Sequence, residues 1–239
     1  MVDELWPGGP RFLRSNAAFP IGTDAVLLSD FVNTQGASLA CDLGCGSGII
    51  SVLIALKSPK MIVDGIELQK NAAQVASVNV DMCRLSSRIR ITTGDLRECG
   101  EFYDAGEYDL VVSNPPYFAS GSGYTSPVET TAKARDEREC TLDDVCKAAG
   151  YLTRWGGKFA LVHRPERLSE VFLSLHQSGL EPKRLRFVQH RAESAPNLVL
   201  IESRRGGKPS LTVEPPLIMT KPDGSDSDEI IRIYHREAK

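Results

Sequence analysis

Asn114-Pro115-Pro116-Tyr117 is the most chemically pointed string in the chain. By composition, such a string arises by chance in roughly one chain in a thousand of this length. An exocyclic ring amine or an amide nitrogen has its lone pair delocalised into the conjugated system. To attack an electrophilic carbon it must become pyramidal. Two acceptors aimed at its two N–H bonds assist that change through preorganised electrostatics. The Asn114 side-chain oxygen and the Pro115 backbone carbonyl are such a pair, and proline rigidity holds the carbonyl in place. Tyr117 supplies a ring for a base turned out of its stack, and Phe118 extends that wall. On this reading the ring of Tyr117 matters rather than its hydroxyl.

A second set of residues suits a cofactor. Asp42-Leu43-Gly44-Cys45-Gly46-Ser47-Gly48 follows an apolar run and precedes a segment of helical length. Glycines let a backbone turn tightly and lie against a ligand. The dinucleotide pattern G-x-G-x-x-G/A would need a small residue at position 49, which is Ile49. An acid beside the loop also disfavours a pyrophosphate, whereas a cationic ligand suffers no such penalty. S-adenosylmethionine, with a sulfonium and an amino group, therefore fits better than NAD. Glu67 lies 23 residues after Gly44 at the end of the next strand, placed to accept both ribose hydroxyls. Asp95 follows a third strand and is placed to accept from the adenine amine. Leu68 and Leu96 flank these two acids, and Cys45 meets the cofactor through its backbone. Asn114 borders the same site.

These residues need a scaffold that brings strand ends together. Strands are expected over 39–43, 61–66, 88–92, 108–112 and 158–163, with helices over 49–57, 69–81, 141–155 and 165–177. Thr141 is a cap candidate, Gly156-Gly157 a helix stop, and Pro165 suits a helix start. Alternating β and α units imply a mostly parallel sheet covered on both faces. Segments 184–189 and 198–203 have no helix between them and should pair antiparallel. A last strand is expected over 229–234. Segments 113–139, 204–209 and 215–228 read as loops, the first of functional length and the last as a mobile excursion.

Composition sets the limits. The 239 residues are 41% hydrophobic and 25% charged, which suits one globular domain over 1–239. No apolar run reaches membrane-spanning length, and acids stand where a signal peptide needs bases. Six cysteines without metal-site spacing read as reduced thiols of a cytoplasmic protein. His163, His176, His190 and His235 have no nucleophile at a recognisable spacing and read as core or surface residues. Nothing in this pattern calls for a metal or a membrane; a monomer is possible, and the sequence does not set the oligomeric state. The first 150 residues carry 13 bases and 20 acids, whereas 151–210 carry 11 bases and 5 acids. The basic residues between Arg164 and Lys208 are thus candidates to meet RNA phosphates.

With these residues in view, the sequence resembles the class I S-adenosylmethionine-dependent methyltransferases with an N-P-P-Y motif. Within them it is similar to bacterial tRNA adenine N6-methyltransferases acting on adenosine 37 of a valine tRNA. The resemblance rests on Gly22 to Leu28, Asp42 to Gly48, Glu67, Asp95, Asn114 to Tyr117 and Ala134-Arg135. It implies a Rossmann-like α/β fold with a seven-stranded, mostly parallel sheet whose last strand is antiparallel. It implies direct methyl transfer to adenine N6, with Asn114, Pro115, Pro116 and Tyr117 catalytic. It also implies that segment 1–38 covers the site. Thr23 would then lie at the methionine end of the cofactor, with Asp24 and Arg135 toward the substrate. Segment 205–239 reads as a C-terminal extension. N-P-P-Y also serves enzymes methylating guanine N2 in ribosomal RNA or a protein glutamine amide. Only 38 residues precede the first strand, which argues against the glutamine enzymes and their helical domain. A non-catalytic module binding cofactor and RNA is the alternative of another class.

Overall fold

The computed structural model describes residues 2–13, 22–115, 117 and 140–235. The expected site residues Pro116, Phe118 and Arg135, and most of loop 113–139, lie outside them. A hairpin of β1 (Val2–Glu4) and β2 (Arg11–Leu13) precedes α1 (Thr23–Phe31). Then come β3 (Leu39–Leu43), α2 (Ile49–Lys57), β4 (Ile62–Glu67), α3 (Lys70–Met82), β5 (Ile89–Thr93) and β6 (Tyr108–Ser113). The second half holds α4 (Leu142–Leu152), β7 (Thr153–His163), α5 (Leu168–Gln177), β8 (Leu180–Gln189), β9 (Pro196–Arg205), β10 (Thr212–Ile218) and α6 (Asp228–Ile233).

One sheet runs in the order β10-β8-β9-β7-β6-β3-β4-β5. β9 is antiparallel to both neighbours; the other pairings are parallel. Side chains alternate between two cores, as a strand's two-residue period requires. Ala40, Leu110, Val112, Ala160 and Val162 join α1 and α2 on one face. Cys41, Leu43, Val111, Phe159 and Leu161 join α4 and α5 on the other. Both faces are covered, so the strands read as unbroken apolar runs. No helix among the described residues is long and apolar enough to cross a membrane.

Three expectations are corrected. The expected seven strands are β3 to β9, of which the last, β9, is antiparallel, and β10 adds an eighth at the edge beyond β8. Pro215 and Pro216 sit in β10, where an edge strand tolerates the missing donors. Segment 215–228 is therefore partly strand, and a Thr220–Asp226 bridge closes its turn. The helix expected to reach Trp155 ends at Leu152. Arg205 of β9 donates to the Tyr151 and Thr153 carbonyls at 3.2 and 2.5 Å, and the chain enters β7 with Gly156 at φ +75°. The strand expected over 229–234 is helix α6. Ser227 caps it, accepting from Ile230 N at 3.2 Å, and Asp228 and Glu229 suit its first turn.

The start of β3 is tied to its neighbours by Asp109. Its Oδ2 accepts from Ser38 N (2.8 Å), Ser38 Oγ (3.0 Å) and Leu39 N (3.1 Å), and its Oδ1 from Arg154 Nε (2.5 Å). Burial raises this carboxyl, but the bonds from Ser38, Arg154 and Leu39 outweigh it and bring the pKa down to about 2. A depressed carboxyl stabilises the fold above its unfolded value and loses that effect as pH falls through the folded one. Asp109→Asn should therefore lower the unfolding free energy at pH 7 by about 2 kcal/mol. The gap to wild type should close as pH falls from about 4 toward about 2. Denaturant titrations across pH check this; a gap unchanged at low pH would refute it.

Candidate active site

The site lies at the carboxyl ends of β3, β4 and β6. Leu43 pairs with Ser113 across β3 and β6, and with Ile66 across β3 and β4. Gly44 and Asn114 thus leave two adjacent strands at the same height. Ser113 Oγ donates to the Leu43 carbonyl at 2.9 Å and locks that register.

Gly44-Cys45-Gly46-Ser47-Gly48 turns from β3 into α2. Gly44 and Gly46 take φ of +69° and +55°, and the space a side chain would fill is open at both. That is the cradle a ligand lying against the backbone requires. Gly44 N and Cys45 N both donate to the Ile66 carbonyl, at 2.9 and 3.0 Å. Gly46 N donates to Glu67 Oε2 at 2.9 Å, and Gln69 N to Glu67 Oε1 at 2.8 Å. Glu67 sits where the sequence placed it, but its carboxylate also shapes the loop.

Asp42 is fully buried. Its Oδ2 accepts from Ser51 N at 3.1 Å and Ser51 Oγ at 2.6 Å; its Oδ1 has no partner among the described residues. Burial pushes the carboxyl up to about 7; the Ser51 bonds oppose this and Glu67 adds to it. An orphaned acceptor behind an open glycine cradle is the feature a cationic ligand would satisfy.

The other expected residues divide. Asp95 caps the short helix Leu96–Glu101, accepts from Arg97 N at 2.9 Å and pairs with the Arg97 guanidinium, which holds its carboxyl below the usual range. Leu96 is buried beneath it, and Leu68 is exposed after β4. Thr23 opens α1, and Asp24 stands in its first turn. Pro115 is buried, and Asn114 and Tyr117 are half-buried. Tyr117 Oη lies 2.6 Å from Asp24 Oδ2 and 2.6 Å from the Asn114 carboxamide oxygen. Burial first, and then the Asp24 charge, push the phenol pKa well up, so the hydroxyl keeps its proton.

Sequence reasoning missed the setting of the Tyr117 ring. His163 meets it edge-on at 5.4 Å, and Arg164 covers it at 5.1 Å. Arg167 donates to the Tyr117 carbonyl at 3.0 Å. His163 is buried; its Nδ1 accepts from Arg164 N at 2.8 Å, and its Nε2 has no partner among the described residues. Burial, with Arg167 second, lowers this imidazole to about 4, so it is neutral. Only the register of β7 on β6 could have signalled its place. The expected basic surface also splits. Arg164, Arg167 and Arg191 lie toward the carboxyl ends of β7 and β8. Arg204 pairs with Lys158, and Arg205 with Leu180, at the opposite edge of the sheet. There Arg204 and Arg205 bond backbone carbonyls.

The strand order with one antiparallel strand, and a glycine loop at the end of β3, are those of the class I methyltransferase fold. The structure overlays a predicted O-methyltransferase from Agrobacterium tumefaciens with a TM-score of 0.74 at 19% identity, covering 90% of this chain and 97% of that one. Residues 15–167 match the methyltransferase small domain. A tRNA1(Val) (adenine(37)-N6)-methyltransferase of Tolumonas auensis is 31% identical over 221 residues, 92% of this chain and 90% of that one. The protein of the same name from Yersinia pseudotuberculosis is 37% identical over 163 residues, 68% of this chain and 63% of that one. The chain belongs to the methyltransferase small-domain family and is an S-adenosylmethionine-dependent methyltransferase.

Asp42 generates a prediction. A cation beside Oδ1 favours the ionised carboxyl, so cofactor binding and proton release are linked. Affinity for S-adenosylmethionine should rise with pH through about 7, the value to which burial raises Asp42. Asp42→Asn should bind more weakly at pH 8 and lack that part of the pH slope. Calorimetric titration from pH 6 to 8.5 on both proteins checks this; parallel profiles would remove Asp42 from cofactor binding.

Proposed function

We propose that this enzyme transfers the methyl of S-adenosylmethionine to the exocyclic N6 amine of an adenine in tRNA, in the cytoplasm. The observation that carries the reading is the pairing of Leu43 with Ser113. It sets the glycine cradle and Asn114 side by side on adjacent strand ends. The relatives named for adenine-37 N6 methylation of tRNA1(Val) support the choice of base and RNA.

S-adenosylmethionine, when bound, supplies an electrophilic sulfonium methyl. The chain's residues do the rest. Gly44, Gly46, Glu67 and Asp42 hold the cofactor, with Glu67 on the ribose and Asp42 toward the positive charge. Asp95 and Leu96 border its adenine end. The Asn114 carboxamide oxygen and the Pro115 carbonyl accept from the two N–H bonds of the target amine. They favour the pyramidal nitrogen as positive charge develops on it. The Tyr117–Arg164 pair offers a surface on which a flipped base stacks. Arg164, Arg167 and Arg191 face incoming phosphates. Arg204 and Arg205, on the far edge, are left out of this contact.

The direct test incubates the enzyme with labelled cofactor and tRNA from a strain lacking it, followed by nucleoside analysis. N6-methyladenosine is expected; N2-methylguanosine, or label only in protein, would overturn the reading. Asn114→Ala should lower the single-turnover rate by about 10²–10³, the scale for one preorganised polar group. Its affinity for S-adenosylmethionine should stay within a few-fold, because the interaction belongs to the transition state. A near wild-type rate would make the motif a structural turn.

A further inference from the structure

Asn114 can serve an amine only if its amide is turned the right way round. The carboxamide has one oxygen and one NH₂ group, nearly alike in shape, and only the oxygen accepts from an N–H bond. Its neighbours must fix the choice. Here the neighbour is the Tyr117 hydroxyl, 2.6 Å from the Asn114 carboxamide oxygen and 2.6 Å from Asp24 Oδ2.

A phenol has one proton to donate, and two acceptors compete for it. Asp24 stands in the first turn of α1, with its Oδ2 on the phenol oxygen. A carboxylate only accepts, and its charge-assisted bond is the stronger of the two. The Tyr117 proton therefore goes to Asp24. The phenol oxygen then turns only lone pairs toward Asn114, and an amide oxygen facing them is repelled. A half-turn of the carboxamide replaces it with the NH₂ group, with little change of shape.

We propose that Asp24, acting through the Tyr117 hydroxyl, fixes the Asn114 amide with its nitrogen on Tyr117 and its oxygen free for the target amine. Asp24 and the Tyr117 hydroxyl are then positioning groups for Asn114. This rests on the reading of the site as an amine methyltransferase. It reverses the expectation that only the Tyr117 ring matters, and it gives a reason for tyrosine where stacking needs only a ring.

The test compares wild type, Tyr117→Phe, Asp24→Asn, Asp24→Glu and the double variant Asp24→Asn/Tyr117→Phe. Single-turnover rate, KM for tRNA, affinity for S-adenosylmethionine and Tm are measured for each. Tyr117→Phe should lower the single-turnover rate by about 10–100-fold with KM for tRNA nearly unchanged, because the ring remains. Asp24→Asn should do the same. Its amide can donate to the phenol and send the Tyr117 proton to the Asn114 oxygen. The double variant should be no slower than Tyr117→Phe alone, as expected for residues that act in series. Asp24→Glu, which keeps the carboxylate, should recover most of the rate. A wild-type rate in Tyr117→Phe, or a double variant slowed by the product of the two single effects, would overturn the proposal. Loss of rate in step with Tm and cofactor affinity would also overturn it, since that pattern marks a structural role. Absence of N6-methyladenosine from the wild-type reaction would overturn the functional reading instead.

Discussion

The site depends on how the glycine loop is fastened to β4. Gly44 N and Cys45 N share one carbonyl, that of Ile66, and Gly46 N reaches the Glu67 carboxylate. Three consecutive backbone donors are thus satisfied by the last two residues of a neighbouring strand. This leaves the open side of the loop free of its own hydrogen-bonding demands. The fastening works only because β3 and β4 end together in a parallel register, Leu43 opposite Ile66. The same alignment with β6 delivers Asn114 to the mouth of the cradle. Glycine loop and motif are therefore two outcomes of one sheet edge.

Charge is not uniform along that edge. Asp42 and Glu67 come from the acidic first 150 residues and border the glycine loop, Glu67 through its bond from Gly46 N. Arg164 and Arg167 come from the basic stretch and flank Tyr117. Asp42 carries a penalty in this arrangement. Its buried Oδ1 has no partner among the described residues, and a carboxyl raised to about 7 destabilises the fold as pH rises toward that value.

Much of this was legible in the sequence because the signals are local. Asp42, the three glycines, Glu67 and Asn114 each follow a short apolar run, and strand ends of a parallel sheet necessarily share an edge. What stayed hidden depends on direction and distance. Arg204 and Arg205 looked like part of one basic face, but β9 runs backward and carries them to the far edge. The prolines of β10 masked an edge strand. The Ser227-Asp228-Glu229 cap was readable, yet the apolar residues after it suggested a strand. Asp24 and Tyr117 are 93 positions apart, and no spacing rule joins them.

The C-terminal extension is not peripheral to this chemistry. Arg232 of α6 forms a two-pronged pair with Asp30, at 3.0 and 2.9 Å. Lys57, at the end of α2, donates to the Ser29, Asp30 and Val32 carbonyls at 3.1, 2.5 and 2.7 Å. Burial lowers the Lys57 pKa, but three carbonyls at the negative end of a helix still favour its charge. Glu202 of β9 takes Asn33 N at 3.3 Å just beyond. The last turn of α1 is thus held by α2, α6 and β9 together, whereas its first turn presents Asp24 to Tyr117. A helix held firmly at one end is a rigid lever at the other. The placement of Asp24 at the motif is therefore set partly by residues on the far side of the fold, including a six-residue helix that the sequence presented as a strand.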